Sequence, residues 1–213
     1  MLRKSRSKIK MFFLTMDGFP MGCLSSAIEP LRVTNEIIGY ELFEWSLVSE
    51  NQVPTKSSAK VSFDNDLDLE KISDGDFLFI LSAPTSKFKN PGRANATIRR
   101  LFKSGIAIGA FSGGIFPLAK SGIMEGIQCS VHWCYEHVFR SQFLNVKHSN
   151  SVIAIDKNRY TASGAGAVFD LMLTIIEKEL GSVLMTEVAC WFQHPYIRTS
   201  EVTQRRPLQD TDE

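Results

Sequence analysis

The sequence predicts an α/β fold, a mainly parallel, doubly wound sheet with helices on both faces. Three observations predict it. Apolar segments of strand length alternate with segments of helical period along most of the chain, the pattern of an open, helix-covered sheet. Two strand-like runs, "DFLFILSAP" and "IAIGAF", are apolar almost without a break, as suits strands buried on both faces. The second feeds directly into "SGGIFPLAKSG", so a strand meets a helix through a turn of small residues.

Taken in order, "KIKMFFLTM" reads as a first strand that ends at the turn "DGFP". Met21–Ile38 then sets Leu24, Ala27, Ile28, Leu31 and Val33 at roughly helical spacing, with Gly39 as C-cap. "FEWSLVS" is a second strand, "VPTKSSAKVSF" a small hairpin or edge ribbon, and "DFLFILSAP" a third strand. Residues 93–103 form an amphipathic helix stopped at Ser104 and Gly105, and "IAIGAF" is a fourth strand. The helix after it tolerates Pro117, which fits a first turn. "HWCYEHVFRSQF" is another helix, followed by short strands near "NVKHS", "VIAID" and "RYTAS". "GAGAVFDLMLTIIEKELG" is the strongest helix, with Phe169, Leu171, Met172, Leu173, Ile175 and Ile176 inward and Gly181 as cap. "SVLMTEVACWFQH" is a last helix with Ser182 as N-cap. Residues 1–8 read as a disordered basic leader, residues 9–195 as one folded domain, and residues 196–213, where apolar content collapses, as a linker or tail.

At 213 residues the chain suits one sizeable domain. Its 24 Lys and Arg balance 23 Asp and Glu for a formal net charge of +1, so bulk charge draws it neither to nucleic acid nor to an anionic membrane. Four sparse cysteines in apolar surroundings read as reduced thiols of a cytoplasmic protein. The apolar run at residues 11–14 is too short for a signal peptide or a membrane span.

Chemistry is suggested first at "GAFSGG". A strand turning sharply into a helix strains the turn residue and points its side chain out at the carboxyl edge of the sheet. Small neighbours are then needed, and Ala110 and Gly114, with Gly109 and Gly113, supply them around Ser112. Amides at the start of the following helix would favour an oxygen near Ser112 Oγ. The plain alternative is a glycine-rich turn of an ordinary α/β sheet. A serine also needs a base, and the spacing of His132, His137, His148 and His194 pairs none of them with a positioned carboxylate. Cys129, His132, Cys134 and His137 lie too close together for a structural zinc site, which uses two ligand pairs separated by a loop. No metal or cofactor is expected.

The strings "SSAIEPLRVTNEI", "GAFSGGIFPLAKSGIMEG", "SVHW" and "YTASGAGAVFDLMLTIIEKELG" together resemble the N-terminal sensor domain of AraC-type transcriptional regulators, in the PfpI-like branch of the class I glutamine amidotransferase-like superfamily. The likeness runs over residues 10–208 and includes "QRRPL", which in that family leads toward a C-terminal helix-turn-helix domain. It implies a flavodoxin-like, class I glutamine amidotransferase-like fold. It puts Ser112 where catalytic members hold a cysteine, Glu29 where they hold a nearby glutamate, His132 in the same pocket, and Gly113 where peptidase-like members hold a histidine. Without the thiol and that histidine the elbow is expected to be chemically quiet. What the resemblance implies is a homodimer that senses a small metabolite, an amino acid or quaternary amine, and meets DNA only through a further domain. Glu29, Ser112, Gly113, His132, Trp133 and Gly164 are expected to line the cleft, with Trp133 and Phe19 as aromatic faces for a cation. The alternatives are a hydrolase or amidotransferase-like enzyme using Ser112, and a stress protein of the same fold.

Overall fold

The computed structural model describes residues 7–207. In chain order its elements are β1 (Ile9–Thr15), α1 (Met21–Ile38), β2 (Phe43–Ser49), β3 (Thr55–Lys56), β4 (Ser62–Phe63), β5 (Leu67–Asp68), β6 (Phe77–Ser82), α2 (Pro91–Lys103), β7 (Ala107–Ser112) and α3 (Ile115–Lys120). There follow β8 (Gln128–Ser130), α4 (Glu136–Gln142), β9 (Lys147–Ser149), β10 (Ile153–Asp156), β11 (Arg159–Ala162), α5 (Ala165–Leu180) and α6 (Ser182–Trp191). The main sheet runs β10-β11-β7-β6-β1-β2-β5. Its pairs are parallel except β10 with β11.

Alternation along β1 shows why helices cover both faces. Met11 and Phe13 enter a core with α1, α5 and α6, which includes Leu31, Leu171 and Val188. Phe12 and Leu14 enter a second core with α2, α3 and α4, which includes Ile98, Phe116 and Phe139. Successive side chains of a strand leave opposite faces, so an unbroken apolar strand demands two covers. Burying each large side chain in these layers stabilises the fold by about 1.5–3 kcal/mol relative to exposure. The expected ribbon is the antiparallel pair β3 and β4, and Gly39 caps α1 at φ +76°.

Several details differ from the sequence reading, among them the short strands β5 and β8, which it did not contain. α2 starts at Pro91 rather than 93, because Asn90 caps it by accepting the Arg93 N–H at 3.2 Å and proline suits the first helical position. "HWCYEHVFRSQF" is split: Trp133–Tyr135 is a 3-10 turn ahead of α4, with the His132 ring accepting the Cys134 N–H. Ser182 is the first residue of α6 and not its cap; Gly181 ends α5 and begins α6 at φ +91°, a reversal that favours a residue without Cβ.

The segment after α6, expected to leave the domain after residue 195, instead stays against it as far as Arg206. Ile197 and Val202 pack on the first core. The Val152 N–H donates to the Val202 carbonyl at 2.8 Å, the Gln204 N–H donates to the Asn150 carbonyl at 2.8 Å, and Ser151 bridges Thr203. Composition missed this because the segment has few apolar residues, Ile197 and Val202 among them, and is held largely by polar bonds.

Candidate functional site

Ser112 closes β7 with φ +51°, the left-handed region an L-residue occupies at a cost. Its neighbours leave no other path. A Cβ on Gly114 would strike the Ile80 carbonyl, and one on Gly113 would strike the backbone of Ser82 to Pro84. The sharp strand-to-helix turn is therefore as the small-residue pattern implied. In register, Ser82 lies beside Ser112 and Ala162 beside Phe111, so the carboxyl edge carries Ser82, Ser112 and the Ser163–Gly164 turn side by side.

Among the described residues no hydrogen bond reaches Ser112 Oγ, and the Gly114 N–H turns back to the Phe111 carbonyl at 3.0 Å. Three of the four histidines are engaged elsewhere. His132 Nδ1 accepts the Cys134 N–H at 3.3 Å and stands 2.9 Å from Cys134 Sγ, so the thiol proton points to that nitrogen. Burial pushes the His132 pKa down. Two histidines do meet carboxylates, against the expectation from spacing: His194 Nε2 lies 2.9 Å from Asp170 Oδ1, and His148 Nδ1 lies 3.5 Å from Glu136. Both partners come from elements remote in sequence, which spacing along the chain does not reveal.

The expected cleft assembles only in part. His132, Trp133 and Gly164 line one cavity of about 370 Å³, together with Ser163, Arg198 and Gln204. Glu29 does not join them. It sits on the third turn of α1, half-exposed, with Oε2 bonded to Arg32 at 2.9 and 3.1 Å, and the i, i+3 spacing of a helix makes that pair the local solution. Phe19 offers no aromatic face either: it is fully buried and packs edge-on against Phe63 with ring centroids 5.4 Å apart. Ser112 and Gly113 lie on the same sheet edge without lining this cavity.

What sequence reasoning missed is the far wall, Arg198 and Gln204, and the groups that hold its segment in place. Asp170, wholly buried on α5, accepts from Arg198 Nε at 2.7 Å and from the Arg198 N–H at 3.2 Å, beside its contact with His194. Gln204 accepts from the Trp133 N–H at 2.9 Å and donates to the Val131 carbonyl at 2.8 Å. Arg206 reaches Glu136 at 2.5 Å and Asn150 at 2.8 Å. One signal was present in the sequence: a lone aspartate within "AVFDLML" must face the core and so calls for a cationic partner.

Comparison with known proteins places this geometry. Over 208 residues, 96% of its length, the chain is 31% identical to the HTH-type transcriptional regulator GbdR of Pseudomonas aeruginosa. It spans about half, 56%, of that relative. An AraC family transcriptional regulator from Pseudomonas putida superposes with a TM-score of 0.79 at 17% identity, over 86% of this chain and 99% of that one. DJ-1beta of Drosophila melanogaster does so with 0.70 at 19%, over 90% and 100%. Those two structural likenesses speak for the fold alone. The family model, DJ-1/PfpI, matches residues 20–178, three quarters of the sequence and every element from α1 to α5, and the chain belongs to the DJ-1/PfpI family.

Proposed function

We propose that this chain is the non-catalytic, metabolite-sensing part of an AraC-type transcriptional regulator, acting as a homodimer and meeting DNA through a domain that follows it. The observation that carries the reading is that the segment leaving α6 forms one wall of the cavity at His132, Trp133 and Gly164. A ligand there touches the chain that leads out of the domain, so occupancy and the position of that segment are linked. The likeness to GbdR over 96% of the chain supports the regulator reading. The unpartnered Ser112 speaks against the hydrolase alternative.

The cavity is lined by Arg198 and Arg205 and, among the described residues, by no carboxylate. That favours an amino acid, whose carboxylate meets a guanidinium, over a quaternary amine lacking one; Trp133 remains available to a cationic end. Glu29 has no part in binding. The test is calorimetry with a panel of amino acids and quaternary amines on the wild type, Glu29→Gln and Trp133→Ala. The expected result is one ligand class whose affinity is unchanged in Glu29→Gln and falls at least about tenfold, 1.4 kcal/mol, in Trp133→Ala. Hydrolysis of an activated ester that Ser112→Ala abolishes would overturn the reading in favour of an enzyme.

A further inference from the structure

The sheet changes its winding direction at β1. From β1 the chain crosses to β2 on one side and later returns to β6 on the other. The loops leaving β1 and β6 therefore diverge, and open α/β sheets bind ligands in the crevice that such divergence leaves outside the carboxyl ends. Here that crevice is a cavity of about 460 Å³ between the ends of β1, β2 and β6, within the size range of small-molecule sites. It is separate from the cavity under the C-terminal segment, with which it shares no lining residue.

Thr15 and Thr55 line the crevice, and Asn65, outside the lining, holds them. Thr15 Oγ1 lies 2.7 Å from Thr55 Oγ1 and donates to Asn65 Oδ1 at 2.9 Å, and all three residues are buried. One wall is apolar, formed by Val53, Pro54 and Ala83. The rim carries charges of both signs, but they are not equally free. Both Glu50 carboxylate oxygens accept backbone N–H groups, from Lys89 and Asn90, each at 2.5 Å. Asp17 Oδ1 accepts the Lys56 N–H at 2.8 Å. The ammonium groups of Lys87 and Lys89, by contrast, form no ion pair among the described residues.

We infer that this switch-point cavity is a small-molecule site for an organic anion, with its carboxylate or phosphate at Lys87 and Lys89 and a short apolar body against Val53, Pro54 and Ala83. The inference rests on the sheet's winding and the cavity's lining and not on the regulator reading, so either can fail alone. Benzoate and phenyl phosphate serve as probes of the two head groups, with inorganic phosphate as the probe that lacks the body. Each is titrated by calorimetry into the full chain, the Lys87→Ala/Lys89→Ala variant and the Val53→Trp variant, with thermal melting as the readout of folding. Expected are binding of at least one organic probe, loss of affinity by about tenfold or more in the double variant, loss in Val53→Trp, and inorganic phosphate weaker by about tenfold or more. Failure of both organic probes to bind, equal affinity in the folded double variant, or inorganic phosphate binding as tightly as phenyl phosphate overturns the assignment.

Discussion

Ser112 holds a conformation that costs an L-residue about 1–2 kcal/mol, and it persists because Gly113 and Gly114 let the backbones of β6 and β7 approach. The glycines are thus less replaceable than the serine. Gly114→Ala, whose Cβ meets the Ile80 carbonyl, is expected to destabilise by about 3 kcal/mol or more in denaturant titration, whereas Ser112→Gly stays within about 1 kcal/mol of wild type, strain relief offsetting gained chain freedom. Thiols divide by burial in the same way. Burial pushes the Cys23 and Cys129 pKa values up to about 12, while Cys134 and Cys190 are exposed. An aromatic disulfide reagent is expected to modify two thiols in the native protein and the other two only on unfolding. His148 adds a pH dependence. Burial lowers its pKa from the usual 6.5; Glu136 opposes that, and Arg140 and Arg206 add to it. The unfolded chain then takes its proton first, so stability falls as pH drops below about 6.5. A melting series from neutral to mildly acidic pH is expected to show that fall, and His148→Gln to flatten part of it.

At the scale of elements, α5 does more than fill the core. Asp170 presents a carboxylate, 0% exposed, to Arg198 and His194, whose side chains are 32% and 27% exposed. Breaking a buried pair costs about 3–5 kcal/mol; because both partners remain partly in water, Asp170→Asn is expected to cost about 2–4 kcal/mol. The loss falls on one segment. Trypsin is expected to cut after Arg198 and Arg205 faster in Asp170→Asn than in wild type, while far-ultraviolet circular dichroism keeps its helix and strand signal. Equal cleavage rates would mean that Gln204 and Arg206 alone hold the segment. α1 gives the contrasting case: its Glu29, Arg32 and Glu36 form a surface triad, each contact worth only tenths of a kcal/mol.

For the whole molecule, the doubly wound sheet places two cavities at different positions along one carboxyl edge, one against the outgoing segment and one at β1 and β6. The near-zero balance of charge has its own consequence. With a formal net charge of +1, residues 1–213 are expected to bind DNA without sequence preference and weakly, a gel shift losing all signal at moderate salt. Tight, sequence-dependent retention would show that reading helices are not needed beyond this chain.

The short strands β5 and β8 were not legible in the sequence, while the order of the main strands and helices, the two-sided burial of the central strands and the strained turn at Ser112 were. Each is dictated locally: by the period of apolar residues, by runs without polar interruption, and by side-chain volumes within two residues of the turn. The starts of α2 and α6 were misread by one or two residues because Asn90 and Gly181 act through backbone geometry that apolar period does not register. The tertiary structure alone decided the rest. It turned Glu29 toward Arg32, buried Phe19, seated residues 194–206 against α5 and the 3-10 turn, and opened the crevice where β1 and β6 part. These depend on which groups distant in sequence come within a few ångströms of one another, and polar contacts of that kind leave no period in a single chain to be read.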